Sequence, residues 1–135
     1  MIREFIPYEQ ALALKGLGFN KNCLMSICID GSDEYVKADF PKGENFNAFD
    51  LYVSLPLYQQ AFKFFREKYN LHISIGHYRS QHDFKWGYNW SIQDSTSDKY
   101  YSSEPDAPYG EWEYETYEEA ELARLIKLIE IVKTK

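Results

Sequence analysis

The three histidines, at positions 72, 77 and 82, are the residues best suited to acid–base or metal chemistry in this chain of 135 residues. Their spacing works against both. Steps of five alternate faces along an extended strand, so His72 and His77 point apart. A zinc site needs ligands converging at about 2 Å, usually with cysteines or carboxylates at short loop or helical spacing. No such grouping stands beside these histidines. His82 and Asp83 are neighbours in what reads as a hairpin turn, and His77, His82 and Asp83 are the set from which a hydrolase would have to be built. A solvated turn is the simpler reading. Cys23 and Cys28 lack an electropositive setting that would lower their pKa, so packing explains them better than reactivity. On one strand their odd separation would place them on opposite faces, where they cannot bridge. No glycine-rich phosphate loop, nucleophile elbow or metal-binding helix is present, and Gly16-Leu17-Gly18 ends a helix. The expectation is a protein without catalytic residues, cofactor or metal.

The aromatic and acidic residues are more informative. Twelve Tyr, nine Phe and three Trp raise the aromatic share to 18%, and such rings favour both cores and interfaces. The formal charge of −6 is uneven. Residues 1–93 balance ten acidic against ten basic residues, residues 94–121 hold ten acidic residues and one lysine (−9), and residues 122–135 return +3. That local negative field argues against nucleic-acid binding there, which would need phosphate contacts. Within it, Tyr109, Trp112 and Tyr114 lie among Glu104, Asp106, Glu111 and Glu113. Rigid rings give contact area at low entropic cost and carboxylates attract a basic partner, which makes these seven residues the expected partner-binding site. The alternative is a solvated acidic loop whose rings pack back onto the domain. Both readings stay open.

The elements that would position these residues can be read from caps and periodicity. Pro7 and Gly18 bracket a first helix over residues 7–17. Its Ala11, Leu12, Ala13, Leu14 and Leu17 run nearly all the way round, which asks for cover on more than one side and leaves room for a homodimer. Residues 23–29 read as a strand, 30–33 as a turn, 35–40 as the returning strand, and 41–53 as a loop or irregular edge. A second helix starts after Pro56, with Tyr58, Ala61, Phe62, Phe65 and Tyr69 as one apolar stripe and Asn70 as its left-handed cap. Leu71, Ile73 and Ile75 alternate with polar residues as a strand. The sharpest pattern follows: Phe84, Trp86, Tyr88, Trp90 and Ile92 alternate with Lys85, Gly87, Asn89, Ser91 and Gln93. Exposed aromatics on some sheets stack on bases, but here they form the ordinary hydrophobic face of a strand that three helices must cover, so core packing is the expected role. Residues 94–110 read as a loop, and Trp112 and Tyr114 as a fifth short strand. Thr116 and Glu119 make a capping box for a last helix burying Leu122, Leu125, Ile126, Ile129 and Val132.

The expected fold is therefore a single α+β domain over 1–135. Its order is helix, hairpin, helix, hairpin, helix, with an antiparallel sheet of four to five strands and the helices packed on one face. No apolar run reaches the roughly 20 residues needed to cross a bilayer, and the first residues show no secretion signal, so a cytoplasmic protein is expected.

One tetrad recurs at the helix starts: Tyr8-Glu9-Gln10-Ala11, Tyr58-Gln59-Gln60-Ala61 and Tyr117-Glu118-Glu119-Ala120. A duplicated helix-hairpin unit offset by 50 residues and a shared set of helix-start rules explain it equally well. These segments, with Leu17-Gly18-Phe19 and Phe65-Arg66-Glu67-Lys68-Tyr69, resemble a family of short phage and mobile-element proteins. The resemblance implies a small accessory or anti-defence factor, acting by direct binding in the cytoplasm of a bacterial host. Size and acidity are similar to those of small inhibitors of CRISPR effectors. A non-enzymatic inhibitor of a host protein, with a basic nucleic-acid-handling nuclease as its partner, is the expected function. A small-molecule or nucleotide-binding domain with an aromatic pocket is the alternative.

Overall fold

The recurring tetrad has a geometric origin. In all three α-helices its tyrosine is the first helical residue, and its alanine, one turn later, is fully buried. The helices are α1 (Tyr8–Gly16), α2 (Tyr58–Tyr69) and α3 (Tyr117–Lys133). A methyl group at the fourth position lets each helix start lie close against what covers it. The offset of 50 that aligns α1 with α2 does not extend further. The strand after α1 starts at Met25, nine residues past Gly16, whereas the strand after α2 starts at Leu71, two past Tyr69.

A computed structural model describes residues 4–29, 35–39, 42–79, 86–102, 114 and 116–135. The chain is α+β and divides into two compact units, Met1–Phe64 and Phe65–Lys135.

In the first unit the carbonyl of Pro7 accepts the first helical bond of α1 from Ala11 N–H at 2.9 Å. Gly18, at φ 89°, ends the helix in a Schellman motif: Phe19 N–H reaches Leu14 O (3.0 Å) and Gly18 N–H reaches Lys15 O (3.1 Å). Leu14 and Phe19, the hydrophobic pair of that motif, are both buried. The cover expected on several sides of α1 is limited: Ala11 and Leu14 are buried and Leu12 is exposed. A sheet of three antiparallel strands follows, β1 (Met25–Cys28), β2 (Tyr35–Lys37) and β3 (Tyr52–Ser54), in the order β2-β1-β3. Met25, Ser26 and Ile27 are all buried, so central β1 is covered on both faces and reads as a continuous run rather than an alternation.

β3 lies in the stretch read as a loop. Three residues are too few to show a period, and part of the pairing is done by a side chain. Asn47, in the 3-10 turn Phe46–Ala48, accepts Ser54 N–H at Oδ1 (2.8 Å). It also donates its own N–H to Ser54 Oγ (3.1 Å) and its amide to Phe19 O (2.9 Å). Gly43 permits the close approach that closes this region. Its φ is 68°, a Cβ would stand 2.9 Å from Cys23 O, and Cys23 and Glu44 exchange two backbone bonds of 2.9 Å.

α2 carries the chain from the first unit into the second. Leu57 N–H donates to Gln60 Oε1 at 2.9 Å, half of a capping box, and Asn70 closes the helix at φ 56° as expected. The second unit holds another three-stranded antiparallel sheet, β4 (Leu71–Arg79), β5 (Trp86–Asp94) and β6 (Lys99–Ser102), in the order β4-β5-β6. Two sheets of three strands thus stand where one of four to five was expected. Both hairpins gain a third strand from a segment that shows no period, and no described pairing joins the two sheets.

β6 exists because of the turn before it. Asp94 accepts Thr96 N–H (3.0 Å) and Thr96 Oγ1 (2.7 Å) at one oxygen and the Lys135 ammonium (3.0 Å) at the other. Asp98, at φ 57°, then reverses the chain. Asp94 is 1% exposed, so it contributes to the fold and not to a surface field. The helix face also differs from the expected stripe. α3 buries Ala120, Arg124, Leu125, Leu128, Ile129 and Ile131, while Ile126 is exposed. The presence of Arg124 on the inner face shifts the apparent apolar stripe in the sequence away from the true one. Thr116 caps the helix as expected, its Oγ1 accepting Glu119 N–H at 3.1 Å.

Candidate functional site

β5 is the central strand of the second sheet, and alternation places Trp86, Tyr88, Trp90, Ile92 and Asp94 on one face. Register adds Leu71, Ile73, Ile75, His77 and Arg79 from β4 and Lys99 and Tyr101 from β6. α3 lies on this face. Tyr117 meets Tyr88 near its start, Lys127 stands 5.7 Å over the Tyr101 ring, and Lys135 beyond its end pairs with Asp94. The opposite face is polar, with Ser74 and Ser91 joined at 2.6 Å and the side chain of Asn89 lying over Gly76.

Burial along β5 is graded. Ile92 is fully buried and Trp90 nearly so, Tyr88 is half-buried, and Trp86 is 58% exposed. The core role expected for this strand holds where α3 covers it and fails one residue pair beyond the start of the helix. Four rings form an unbroken chain at that end. His77 lies 4.8 Å from Trp86 and stacks on Tyr88 at 4.6 Å and 15°; Tyr88 meets Tyr117 edge to face at 5.8 Å and 83°. Tyr117 is 44% exposed and His77 is exposed.

Behind Tyr117 lies the least expected residue of the site. Arg124 is buried on the inner side of α3, where its guanidinium hydrogen-bonds the Tyr117 hydroxyl and feels the Glu121 carboxylate. Burial pulls its pKa down to about 10, against the opposing pull of Tyr117 and Glu121. Burial likewise raises the half-buried Glu121 carboxyl; Arg124 opposes that shift and Glu118 adds to it. Glu118 and Glu119 are exposed on the first turn of α3, where the helix dipole favours negative charge.

Of the seven residues expected to bind a partner, the structure describes Tyr114. It forms a single antiparallel bridge to Tyr88, with backbone bonds of 2.8 and 3.2 Å, and its hydroxyl accepts the Trp90 indole N–H at 3.3 Å. Its ring is half-buried on the covered face, so it supports the site from within rather than presenting it. Glu104, Asp106, Tyr109, Glu111, Trp112 and Glu113 lie outside the described residues, as do His82 and Asp83. The described acids of the −9 segment do not gather in one place. Asp94 and Asp98 sit at the end of β5, and Glu118, Glu119 and Glu121 near the start of α3 by Tyr88, about 20 Å back along the strand.

His77 and His72 occupy opposite faces, as their spacing requires. Among the described residues no three His, Cys, Asp or Glu side chains come together as metal ligands. Cys23 and Cys28 are both free thiols; Cys23 is buried and its pKa is pushed up to about 12, a shift the Ser54 hydrogen bond partly offsets. No described helix is long and apolar enough to cross a membrane. The sequence pattern assigns Trp86 to the core, His77 to a hydrolase set with His82 and Asp83, and Tyr117 to the acidic aromatic segment; it gives no sign that His77 and Tyr117 share one surface with Trp86, or that Arg124 lies behind it. The available signal was length: a 17-residue helix spans about 25 Å, short of the roughly 30 Å of a nine-residue strand. No protein-family model, curated protein or solved structure matches this chain.

Proposed function

We propose that this chain is a non-enzymatic binding protein that docks another protein on the ring chain Trp86–His77–Tyr88–Tyr117. In the finer form of the proposal it is a phage-type accessory factor that inhibits a basic host protein, a CRISPR effector nuclease being the leading candidate. The observation that carries docking is an exposed tryptophan continuous with three further rings, two on the sheet and one at the start of α3. Large exposed apolar patches of this kind mark interaction sites, and Trp and Tyr dominate the energetics of interfaces. The −9 segment and the resemblance at the helix starts support a basic, defence-related partner.

The experiment is inhibition of purified effector nucleases by the full chain, with Trp86→Ala and Tyr100→Ala compared. Tyr100 is 63% exposed on the polar face and serves as the control. The expected result is roughly thirtyfold weaker inhibition by Trp86→Ala, the loss that marks an interface hot spot, with Tyr100→Ala unchanged. Equal effects of the two substitutions would remove the ring chain from the function. Binding without inhibition would leave the docking surface and remove the inhibitor.

The exposed indole of Trp86 and the parallel His77 and Tyr88 rings also favour a second reading, a stacking surface for a nucleobase or similar small molecule. Tryptophan fluorescence against nucleotides and cyclic dinucleotides tests it, and silence across the panel dismisses it.

A further inference from the structure

The geometry points to a cation-accepting corner between Tyr88 and Tyr117, which would seat an arginine or lysine side chain of the partner; the inference rests on the docking surface proposed above. The two rings stand 83° apart at 5.8 Å, so they present perpendicular walls rather than a flat stack. Ring faces attract cations within about 6 Å, and two perpendicular rings make half of an aromatic cage. His77 backs the Tyr88 wall by stacking on it at 4.6 Å, which fixes that ring in place.

Charge selects the guest and its position. Glu118 and Glu119 place negative charge at the Tyr117 end, on an exposed helical turn, with Glu121 half-buried behind them. A cationic side chain is therefore favoured at the inner corner. The protein already uses a cation over a ring on this face, where Lys127 stands over Tyr101. An anionic nucleotide would meet Glu118 and Glu119 on approach, which is why the guest is assigned as a protein cation.

The test titrates the full-length chain with blocked hexa-arginine, hexa-lysine and hexa-glutamine peptides by proton NMR. The expected result is upfield movement of the arginine δ-methylene or lysine ε-methylene signals, the ring-current signature of a side chain held over aromatic faces, with no movement for hexa-glutamine. Comparison of the two basic peptides shows which side chain the corner prefers. Glu118→Gln with Glu119→Gln should weaken binding about fivefold. Tyr117→Phe, which keeps the wall, should retain the upfield shift, and Tyr117→Leu should lose it. Retention of native chemical shifts across β4 and β5 certifies that each variant is folded. Binding without an upfield shift, or an upfield shift that survives Tyr117→Leu in a folded protein, overturns the corner. So does the absence of binding by either basic peptide when Trp86→Ala still relieves nuclease inhibition. In that outcome the docking surface stands without the cation. If Trp86→Ala has no effect on inhibition, the docking surface itself has failed.

Discussion

Removing the Asp94 carboxylate should destabilise the second unit far more than its sequence setting, in a polar Gln-Asp-Ser-Thr turn, suggests. The side chain is 1% exposed and its donors include the Thr96 N–H, the Thr96 hydroxyl and the Lys135 ammonium, with a lesser contribution from Ser97. Bonds to an ionised acceptor contribute about 1.5–3 kcal/mol each in favourable cases. The Lys135 side chain is 40% exposed, so its share is at most about 1 kcal/mol. Asp94→Ala should then cost about 3 kcal/mol, since neighbouring groups recover part of the loss from water. Asp94→Asn, which keeps one acceptor oxygen, should cost about half of that, and Lys135→Gln under about 1 kcal/mol. All three tryptophans belong to residues 65–135, so fluorescence-detected urea unfolding reports this unit directly. The dependence on pH has a definite sign. The Thr96 hydroxyl first, and Lys135 and the Thr96 N–H after it, hold the carboxyl well below the usual range, against burial. Its contribution is complete above the unfolded value of about 3.9 and is lost as pH falls towards the folded one. The gap between the native chain and Asp94→Asn should stay constant from about pH 5 to 8 and close in stronger acid. An Asp94→Ala midpoint shift worth less than about 0.5 kcal/mol, or a gap that widens in acid, would refute the reasoning.

Three further outcomes follow from burial and backbone geometry. A thiol-alkylating reagent at pH 8 should modify the half-buried Cys28 well before Cys23, whose pKa near 12 and full burial suppress the thiolate; mass mapping of the first label decides it. Trp86→Ala should leave the melting temperature almost unchanged, whereas Trp90→Ala should lower stability by about 3–5 kcal/mol, because the second ring is 7% exposed and the first 58%. Gly43→Ala should cost about 1–3 kcal/mol, since the left-handed backbone and the Cys23 carbonyl both oppose a Cβ; a neutral result in urea unfolding would show that this loop yields freely.

Most of the helical framework is legible in the sequence, because caps act locally. Thr116, Asn70 and Gly18 mark helix ends through bonds to residues within one turn, and the structure places each as read. The β4–β5 hairpin is legible for a similar reason, since nine-residue strands repeat a period of two often enough to be seen. β3 and β6 are not, being three and four residues long and fixed by Asn47 and Asp94, whose bonds depend on the tertiary fold. Arg124 escaped notice because charge alone assigns it to solvent, while its actual cost of burial is offset by Tyr117 and Glu121. Of the seven residues expected to bind a partner, six lie outside the described residues and Tyr114 is half-buried, so the ring chain is a separate proposal; it was not legible as one surface because it depends on how far α3 reaches along β5, which the tertiary fold sets.

Tyr88 lies opposite His77 within the β4–β5 ladder and exchanges both of its own backbone bonds with Tyr114 on the other flank. Amides gripped in this way open only with the surrounding structure, so they should rank among the slowest to exchange with deuterated solvent. A visiting protein would find the middle of its landing ground already immobile. Little entropy is surrendered on arrival, and differences among rival visitors should be expressed in how long they stay rather than how fast they come.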